Sequence, residues 1–402
     1  MSSGLSFKLM GILCIVVVLL GLVGIEGTYA LEQKKGDKTM DTEILGGVPI
    51  PTAEKLAAMQ EGQYILHARD GKLTKVAVEK SRVPYVSPVQ GVALAPDGTV
   101  YVMQQNLICE SKDGGRTWTS YELGSGPAGE NLTGPFEVLS DGTFVCAPGV
   151  YGGKRTDPVA MWASSDKGRS WEQISQIELP AEYFERYIMG LSRLADDTLL
   201  WRIQGRNAKY QDDDFTKLLS GKNTLLLYRS LDKGRSWRGP SIMCDWASEG
   251  GIVRTAPGKL LATIRHQRPP LPDDPPDLLA KTGASRFGDN YPYKHVFLAD
   301  SEDEGLTWKN FRQLTTVFGQ CYGFPVALSD GTVVVSHDHR YPGGLPARTM
   351  ISYDEGETWE DEVYYLFEEG GGSDFSRSVV LEDDVILTIV GATAIRWQPV
   401  RD

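Results

Sequence analysis

Short apolar runs broken by tight turns recur along most of this chain. In residues 92–102 apolar side chains lie on both sides of Asp97-Gly98, and similar runs surround Asp141-Gly142 and Asp330-Gly331. Asp-Gly between β-branched runs is a strong hairpin signal, because both residues tolerate the backbone angles of a tight turn. Three weaker copies lie at 194–199, 253–260 and 380–386. The pattern therefore predicts six β-hairpins.

A second pattern, Ser-x-Asp-x-Gly-x-x-Trp, follows these hairpins. It occurs five times: at Ser111–Trp118, Ser164–Trp171, Ser230–Trp237, Ser301–Trp308 and Ser352–Trp359. The Asp side chain can accept hydrogen bonds from its own turn, the Gly allows a positive φ, and the Trp can fold back between neighbouring sheets. We interpret all five copies as structural turns and none as catalytic.

The order of strand, Asp-Gly turn, strand, loop, strand, box turn and strand makes one four-stranded antiparallel sheet. Six such units in one chain favour a radial arrangement, because each repeated sheet buries its faces against its neighbours. The predicted fold is an all-β, six-bladed β-propeller. Since the sixth unit lacks a box, we expect an early segment, residues 64–76, to complete the last blade by pairing with residues 392–400.

The amino terminus has the features of a secretory signal. Lys8 precedes an uncharged apolar run, residues 9–25, and small residues stand at Thr28 and Ala30, as signal peptidase requires. We expect residues 1–30 to be a cleaved signal peptide, 31–60 a linker and 61–402 the propeller, which places the body outside the cytoplasm, secreted or periplasmic. An uncleaved membrane anchor is the alternative, because about 17 residues are just enough to cross a bilayer.

Charge and cysteine content narrow the choice of partners. The chain has 41 Lys plus Arg against 53 Asp plus Glu, a net charge of −12. Nucleic acids and anionic membranes select basic surfaces, so we expect neither as a partner, and no membrane insertion after signal cleavage. The four cysteines beyond the signal are widely spaced, which indicates neither a disulfide framework nor a metal site. No cofactor is expected, and the oligomeric state is left open.

The repeated box resembles the Asp box of the sialidase (neuraminidase) superfamily, and the resemblance extends from about residue 60 to the end of the chain. It implies the propeller fold and a glycoside hydrolase activity. By this resemblance Glu249, which begins the fourth unit, corresponds to the glutamate that activates the nucleophile, and Arg265 to one arginine of the substrate-binding cluster. Arg340 or Arg348, in the fifth unit, is similar in position to another cluster arginine.

The predicted topology collects candidate site residues on one face. In a four-stranded unit the Asp-Gly turn and the box turn lie on the same face of the propeller. The first strand therefore begins on the opposite face, and the second strand ends there. Two long insertions, residues 204–223 and 266–291, belong to that second face, and we interpret them as binding loops. Seven candidate residues belong there too: Glu249, Asp338 and Asp374 as catalytic carboxyls, and Arg265, Arg340, Arg348 and His266 as substrate-binding groups.

Three positions depart from the superfamily pattern. Phe375 stands where the nucleophilic tyrosine is expected, and a phenyl ring cannot attack an anomeric carbon. The first-blade arginine is absent from Ser87–Gly91, and the loop for the aspartic general acid shrinks to Gln104–Ile108.

These observations leave three hypotheses for function. The leading one is an exported glycoside hydrolase of the sialidase superfamily that acts on terminal, acidic sugars, with arginines as anion clamps and two carboxyls in acid and base roles. The second is a catalytically degenerate propeller that only binds glycan or protein. The third is a propeller hydrolase for a neutral or uronic sugar.

Overall fold

The computed structural model describes residues 62–84, 91–148, 159–207, 222–340, 347–366 and 376–401, together with the backbone of a short hairpin, Ile44–Leu45 and Val48–Pro49. The expected signal peptide, residues 1–30, and most of the expected linker lie outside the described residues. In the described part, six antiparallel sheets follow one another along the chain as six blades.

The first three blades each contain four strands in sequence order. Blade 1 contains Gly91–Leu94, Val100–Met103, Leu107–Ser111 and Thr119–Glu122. Blade 2 contains Phe136–Val138, Phe144–Cys146, Val159–Ser164 and Glu172–Ile177. Blade 3 contains Tyr183–Arg193, Leu199–Asn207, Asn223–Ser230 and Arg238–Asp245.

The remaining blades carry the longest insertion and the strands from the amino-terminal segment. Blade 4 contains Ala247–Ala256, Lys259–His266, His295–Ser301 and Lys309–Gln313. Blade 5 contains Phe324–Ala327, Val333–His337, Ala347–Ser352 and Glu362–Leu366, followed by Tyr64–Arg69 and Lys72–Ala77. Blade 6 contains Arg377–Val380, Ile386–Val390 and Thr393–Trp397, followed by Glu79–Arg82. Helical segments are the α-helix Leu278–Lys281 and the 3₁₀ turns Ala284–Phe287 and Glu382–Asp384.

The blades close into a ring around the innermost strands. The first strand of each blade contacts the first strand of the next, and that of blade 6 contacts that of blade 1. Each neighbouring pair of blades also shares a buried apolar cluster. The core is therefore divided among the blade interfaces, which is how a chain of this length buries its apolar surface without one oversized core. The predicted six-bladed, all-β propeller is confirmed.

The amino-terminal strands correct one detail of that prediction. An early segment does complete blade 6, but it is Glu79–Arg82, which pairs with Thr393–Trp397. The segment expected in that place pairs instead with the last strand of blade 5. In its observed place the strand buries Ile65 and Ala68, and His67 shares a 2.7 Å hydrogen bond with Glu362; these contacts favour the observed pairing.

The five Ser-x-Asp boxes form nearly identical turns between the third and fourth strands. In blade 2 the Ser164 hydroxyl donates to Asp166 at 2.8 Å and accepts the N–H of Gly168 at 2.8 Å. The Asp166 carboxylate also accepts the hydroxyl and the N–H of Ser170, and these bonds lower its pKa to about 2, with burial opposing them. The other four boxes repeat the Ser–Asp and Ser–Gly bonds.

Each box glycine lies against an apolar side chain of the preceding blade. Gly168 of blade 2 meets Ile108 of blade 1, and Gly305 of blade 4 meets Leu227 of blade 3. Both glycines have φ above 80°, where a side chain is strained. An added Cβ would also collide with the neighbouring blade. The box thus joins a local turn to the contact between blades, as its interpretation as a structural element requires.

Candidate functional site

The two faces of the propeller are set by its strand order. The turn face carries the Ser-x-Asp boxes and the hairpin turns after the first strands, such as Asp97, whose carboxylate accepts the N–H of Thr99 at 3.0 Å. The loop face, opposite, carries the beginnings of the first strands and the ends of the second strands. Glu249 lies near the start of the first strand of blade 4, and Arg265 near the end of its second strand.

Glu249 and Arg265 form an ion pair on the loop face. The Arg265 Nη1 lies 3.1 Å from both carboxylate oxygens of Glu249, and its Nη2 donates to Gln267 at 2.6 Å. Ser248 donates to the second Glu249 oxygen at 2.6 Å. The side chains of Glu249 and Arg265 are 22% and 16% exposed, so both can be reached by a ligand.

A second ion pair comes from blade 5. The Arg340 Nε donates to Asp338 at 2.5 Å, and the backbone N–H of Cys321 donates to the other carboxyl oxygen at 2.9 Å. Asp338 is fully buried, whereas a quarter of the Arg340 side chain is exposed. The guanidinium is therefore the accessible part of this pair.

The two ion pairs belong to one electrostatic cluster, which we call the rim cluster: Glu249, Arg265, Asp338 and Arg340. The buried Cys321 thiol has a pKa raised to about 12, mainly by burial and then by Asp338, with Arg265, Arg340 and Glu249 also acting on it. Charges act on a thiol in this way only when they are near it. Blades 4 and 5 thus bring together four of the residues that the sequence predicted.

The two carboxyl groups of the rim cluster have pKa values shifted in opposite directions. Burial raises the pKa of Glu249, but the Arg265 charge and the Ser248 hydrogen bond outweigh burial, and the net shift is downward. At Asp338 burial is the larger effect and raises the pKa to about 6, against the Arg340 charge. Near pH 6 the site therefore holds one ionised carboxylate and one carboxyl group that is half protonated, a division typical of acid and base pairs.

Two predicted residues, His266 and Arg348, have other surroundings. His266 is buried among the rings of Tyr293, Phe297 and Phe311, and burial lowers its pKa to about 3. It is neutral and packs in the blade, which argues against direct contact with a substrate.

Arg348 is fully buried, bonded to His339 and 5.3 Å from the centre of the Tyr365 ring. This position makes it a structural neighbour of the rim cluster that a ligand cannot reach directly. Asp374 and Phe375 lie outside the described residues.

The insertion at 266–291 is ordered and leaves the loop face next to Arg265. Arg268 forms a bidentate pair with Asp274, at 2.5 and 2.8 Å, and its guanidinium lies 4.9 Å from the centre of the Tyr293 ring. The helix Leu278–Lys281 lies within it. These contacts fix the beginning of the insertion to Tyr293, just before the third strand of blade 4.

Sequence reasoning missed two arginines at the propeller axis, Arg202 and Arg377, which we call the axial pair. Arg202 is 1% exposed, and its guanidinium crosses Gly190 to reach the carbonyl of Gly250 in the next blade. Arg377 is 8% exposed and lies 5.1 Å from the centre of the Tyr322 ring. Burial and the neighbouring Arg377 lower the pKa of Arg202 to about 10.

A signal for the axial pair did exist in the sequence. Arg202 interrupts the apolar run 199–203 of a predicted strand. An arginine within a buried strand is rare unless it is paired with another group or has a function. Within the described residues, no group of three or more His, Cys, Asp or Glu side chains has metal-binding spacing. No helix of that same part of the chain is long and apolar enough to cross a membrane.

No protein-family model and no curated protein matches this chain. Solved structures do match. A crystal structure of a protein of unknown function from Dyadobacter fermentans has a TM-score of 0.54 at 17% identity, over 79% of this chain and 96% of that one. An α-L-arabinanase from Penicillium chrysogenum, solved with arabinobiose, has a TM-score of 0.54 at 16% identity, over 80% and 98%. A Hadza microbial sialidase has a TM-score of 0.53 at 16% identity, over 77% and 65%. At these identities the likeness establishes the fold alone, a six-bladed β-propeller.

Proposed function

We propose that this protein is an exported glycoside hydrolase that acts on terminal, acidic sugars at the rim cluster. One observation carries the proposal: Glu249 and Asp338, from neighbouring blades, share one cluster but have pKa values shifted in opposite directions. Two carboxyl groups with distinct protonation states are what glycosidic bond cleavage uses. Propellers of the same fold include a sialidase and an arabinanase, which supports the reaction class.

In this proposal the two carboxyl groups have separate roles. Asp338, protonated below about pH 6, gives its proton to the glycosidic oxygen as the bond to the anomeric carbon breaks. Glu249, ionised over the same range, acts on the opposite side as nucleophile or as the base that takes a proton from water. The anomeric configuration of the product distinguishes these two roles: a nucleophile retains it, and a base that activates water inverts it.

Arg340 links substrate binding to this proton transfer. Its guanidinium holds Asp338 in the closed pair and lowers the pKa of that carboxyl. When Arg340 turns to bind a substrate carboxylate, Asp338 loses this contact, which opens the carboxyl to the substrate and favours its protonated form. Arg265, which is partly exposed beside Glu249, offers a second cationic group to an acidic sugar.

A second candidate function is glycan binding without turnover. It is favoured by the closed state of Asp338, which is fully buried with both oxygens hydrogen-bonded. Phe375 at the place of the expected tyrosine points the same way. A propeller of this kind would use the rim arginines and Glu249 to hold sugar hydroxyl and carboxylate groups.

The deciding experiment is a substrate panel with a pH profile. The secreted chain is assayed against aryl sialosides, uronides and neutral glycosides, including arabinosides, and kcat/KM is followed from pH 4 to 9. The proposal expects turnover of an acidic glycoside, with kcat/KM falling above about pH 6, because only the protonated form of Asp338 donates. Asp338→Asn is expected to remove most of the rate.

Two outcomes separate the hypotheses, and a further measurement tests export. Binding of acidic sugars with no turnover of any substrate supports the binding propeller. Turnover confined to arabinosides or other neutral sugars contradicts the acidic substrate class. Amino-terminal sequencing of the secreted chain tests export, with cleavage expected after Ala30.

A further inference from the structure

A channel with a mixed polar and apolar lining runs along the propeller axis from the turn face. Its volume is ≈ 800 Å³, which is large for a small ligand. First strands of all six blades line it, with hairpin residues such as Asp196 and Gly258 at its mouth. Three of its inner lining residues, Ser192, Phe324 and Ser378, come from three different blades.

The axial pair adjoins the inner end of this channel. The Arg202 Nη2 lies 3.5 Å from the hydroxyl of Ser192, a channel residue. The Arg377 guanidinium lies 4.9 Å from the centre of the Phe324 ring, another channel residue, and precedes Ser378 in the chain. The Tyr322 ring packs on Arg377, and Tyr322 precedes the first strand of blade 5 on the side of the loop face.

The guanidinium groups of the axial pair have N–H donors for which the described residues provide no acceptor. Arg202 bonds only neutral groups, the Gly250 carbonyl and the Ser192 hydroxyl. Arg377 contacts ring faces and forms no ion pair within the described residues. The Nε atoms of both arginines are buried and lack a hydrogen-bond partner in that part of the chain. A buried donor without a partner is costly, and a buried cation more so.

One carboxyl group lies near enough to both arginines to feel their charges. Glu137 lines the channel, and the charges of Arg193, Arg202 and Arg377 all act on it. Arg193 already pairs with Asp197 at 3.2 Å. Glu137 therefore cannot neutralise two further guanidinium groups even when it is ionised, and the inner end of the channel keeps an excess of positive charge.

We propose that the inner end of the axial channel is a binding site for a small carboxylate or another small oxyanion, which enters from the turn face and bonds Arg202 and Arg377. Guanidinium groups suit this ligand because their planar N–H donors match the paired oxygens of an oxyanion. Its two arginines are not members of the rim cluster, although Arg202 bonds the Gly250 carbonyl next to Glu249, and the site does not depend on the proposed hydrolase activity.

Glu137 makes this site sensitive to pH. Burial raises the pKa of Glu137 to about 8, against the charges of Arg193, Arg202 and Arg377. Above that pH the carboxylate competes with the ligand for the arginines; below it the neutral carboxyl leaves the arginines to the ligand. Anion affinity is therefore expected to rise as the pH falls through about 8.

The test is calorimetric titration of the purified protein with sodium acetate at constant ionic strength, at pH 6 and pH 9. Phosphate and chloride titrations separate a preference for carboxylates from binding of any anion. Wild-type protein is expected to bind acetate about tenfold more tightly at pH 6 than at pH 9. Arg377→Gln is expected to lose at least about tenfold at pH 6, as for loss of a charge-assisted hydrogen-bond pair.

Two more variants keep the test decisive if Arg377→Gln does not fold. Glu137→Gln removes the competing charge, so binding at pH 9 should rise to the level found at pH 6. Arg254→Gln, at the channel mouth, is the matched control, because Arg254 is paired with Asp196 and Glu304 and its loss should not change affinity. Absence of anion binding by wild-type protein, or a pH difference that survives in Glu137→Gln, overturns the proposal.

Discussion

The turn face and the loop face are built in opposite ways. On the turn face one set of bonds recurs in five blades, with the box serine 2.7 to 2.8 Å from the box aspartate each time. On the loop face the Glu249–Arg265 pair belongs to blade 4 and the Asp338–Arg340 pair to blade 5. A feature that five of the six blades repeat serves the fold, because it is not tied to one site. The unrepeated polar residues are therefore the better place to look for chemistry.

The largest effect that tests this contrast is expected from Glu249→Gln. Glutamine keeps the size of the side chain and can still contact Arg265, but it cannot carry the charge of a base or nucleophile. Turnover of the best substrate in the panel should fall at least about 100-fold, the usual contribution of acid and base catalysis. Steady-state kinetics and a thermal unfolding curve measure rate and folding separately.

The matched control for Glu249→Gln is Glu304→Gln on the turn face. Glu304 is also paired with an arginine, Arg254 at 2.7 Å, so the substitution makes the same chemical change on the opposite face. Its turnover should equal that of wild-type protein. Equal losses in both variants would mean that Glu249 matters through general electrostatics or folding, and the catalytic assignment would fail.

The next effect in size is expected from Trp237→Ala in the box of blade 3. The indole ring lies 4.9 Å from that of Trp201, and its N–H donates to Ser175 of blade 2 at 3.0 Å. Because the ring is only partly buried, the cost should lie near the low end for large aromatics, about 3 kcal/mol of unfolding free energy. Denaturant unfolding measures it, and ligand affinity per folded molecule should not change.

The boxes were predictable from sequence because their bonds are local. Ser230, Asp232 and Gly234 lie within five residues, so the motif itself specifies which groups bond. The assignment of the amino-terminal strands was not local. Both 64–76 and Glu79–Arg82 can form strands, and the contacts that distinguish their places are long-range, such as His67–Glu362, which joins residues 295 positions apart. No pattern within either segment reveals that contact.

A smaller effect is expected from Ser230→Ala in the same box. The hydroxyl accepts the Gly234 N–H at 2.7 Å and donates to Asp232 at 2.8 Å, and Ser230 is fully buried. Alanine leaves a buried N–H without its partner, which costs about 1 to 3 kcal/mol. The exposed Arg235→Ala in the same turn is the control and should stay within about 0.5 kcal/mol of wild type. Equal unfolding curves for the two variants would contradict the role given to the box serine.

The sequence predicted which residues lie on the loop face, but it predicted the environments of their side chains only in part. Strand order was enough to bring Glu249, Arg265, Asp338 and Arg340 to one rim. Neighbouring residues of a strand point to opposite sides, so His266 follows Arg265 in the chain yet turns into an aromatic cluster. The burial of Arg202 depends on Gly190 and on a carbonyl of the next blade, and such contacts between blades cannot be derived from one strand.

The smallest effect is expected from Arg265→Lys, which keeps the charge of the rim cluster but changes its geometry. The guanidinium spans Glu249 and Gln267 at once, with Nη1 on the carboxylate and Nη2 on the amide oxygen. An ammonium group is a single point of charge, so it can hold Glu249 or a substrate carboxylate but cannot keep the planar arrangement. Binding of sialic acid or glucuronic acid should weaken by about five- to tenfold, since one bond of a bidentate pair is lost. Arg312→Lys is the control, because Arg312 pairs with Asp300 at 2.7 Å in the outermost strand of the same blade. If both variants bind these sugars equally well, Arg265 contributes only charge, and the acidic substrate class loses its geometric support.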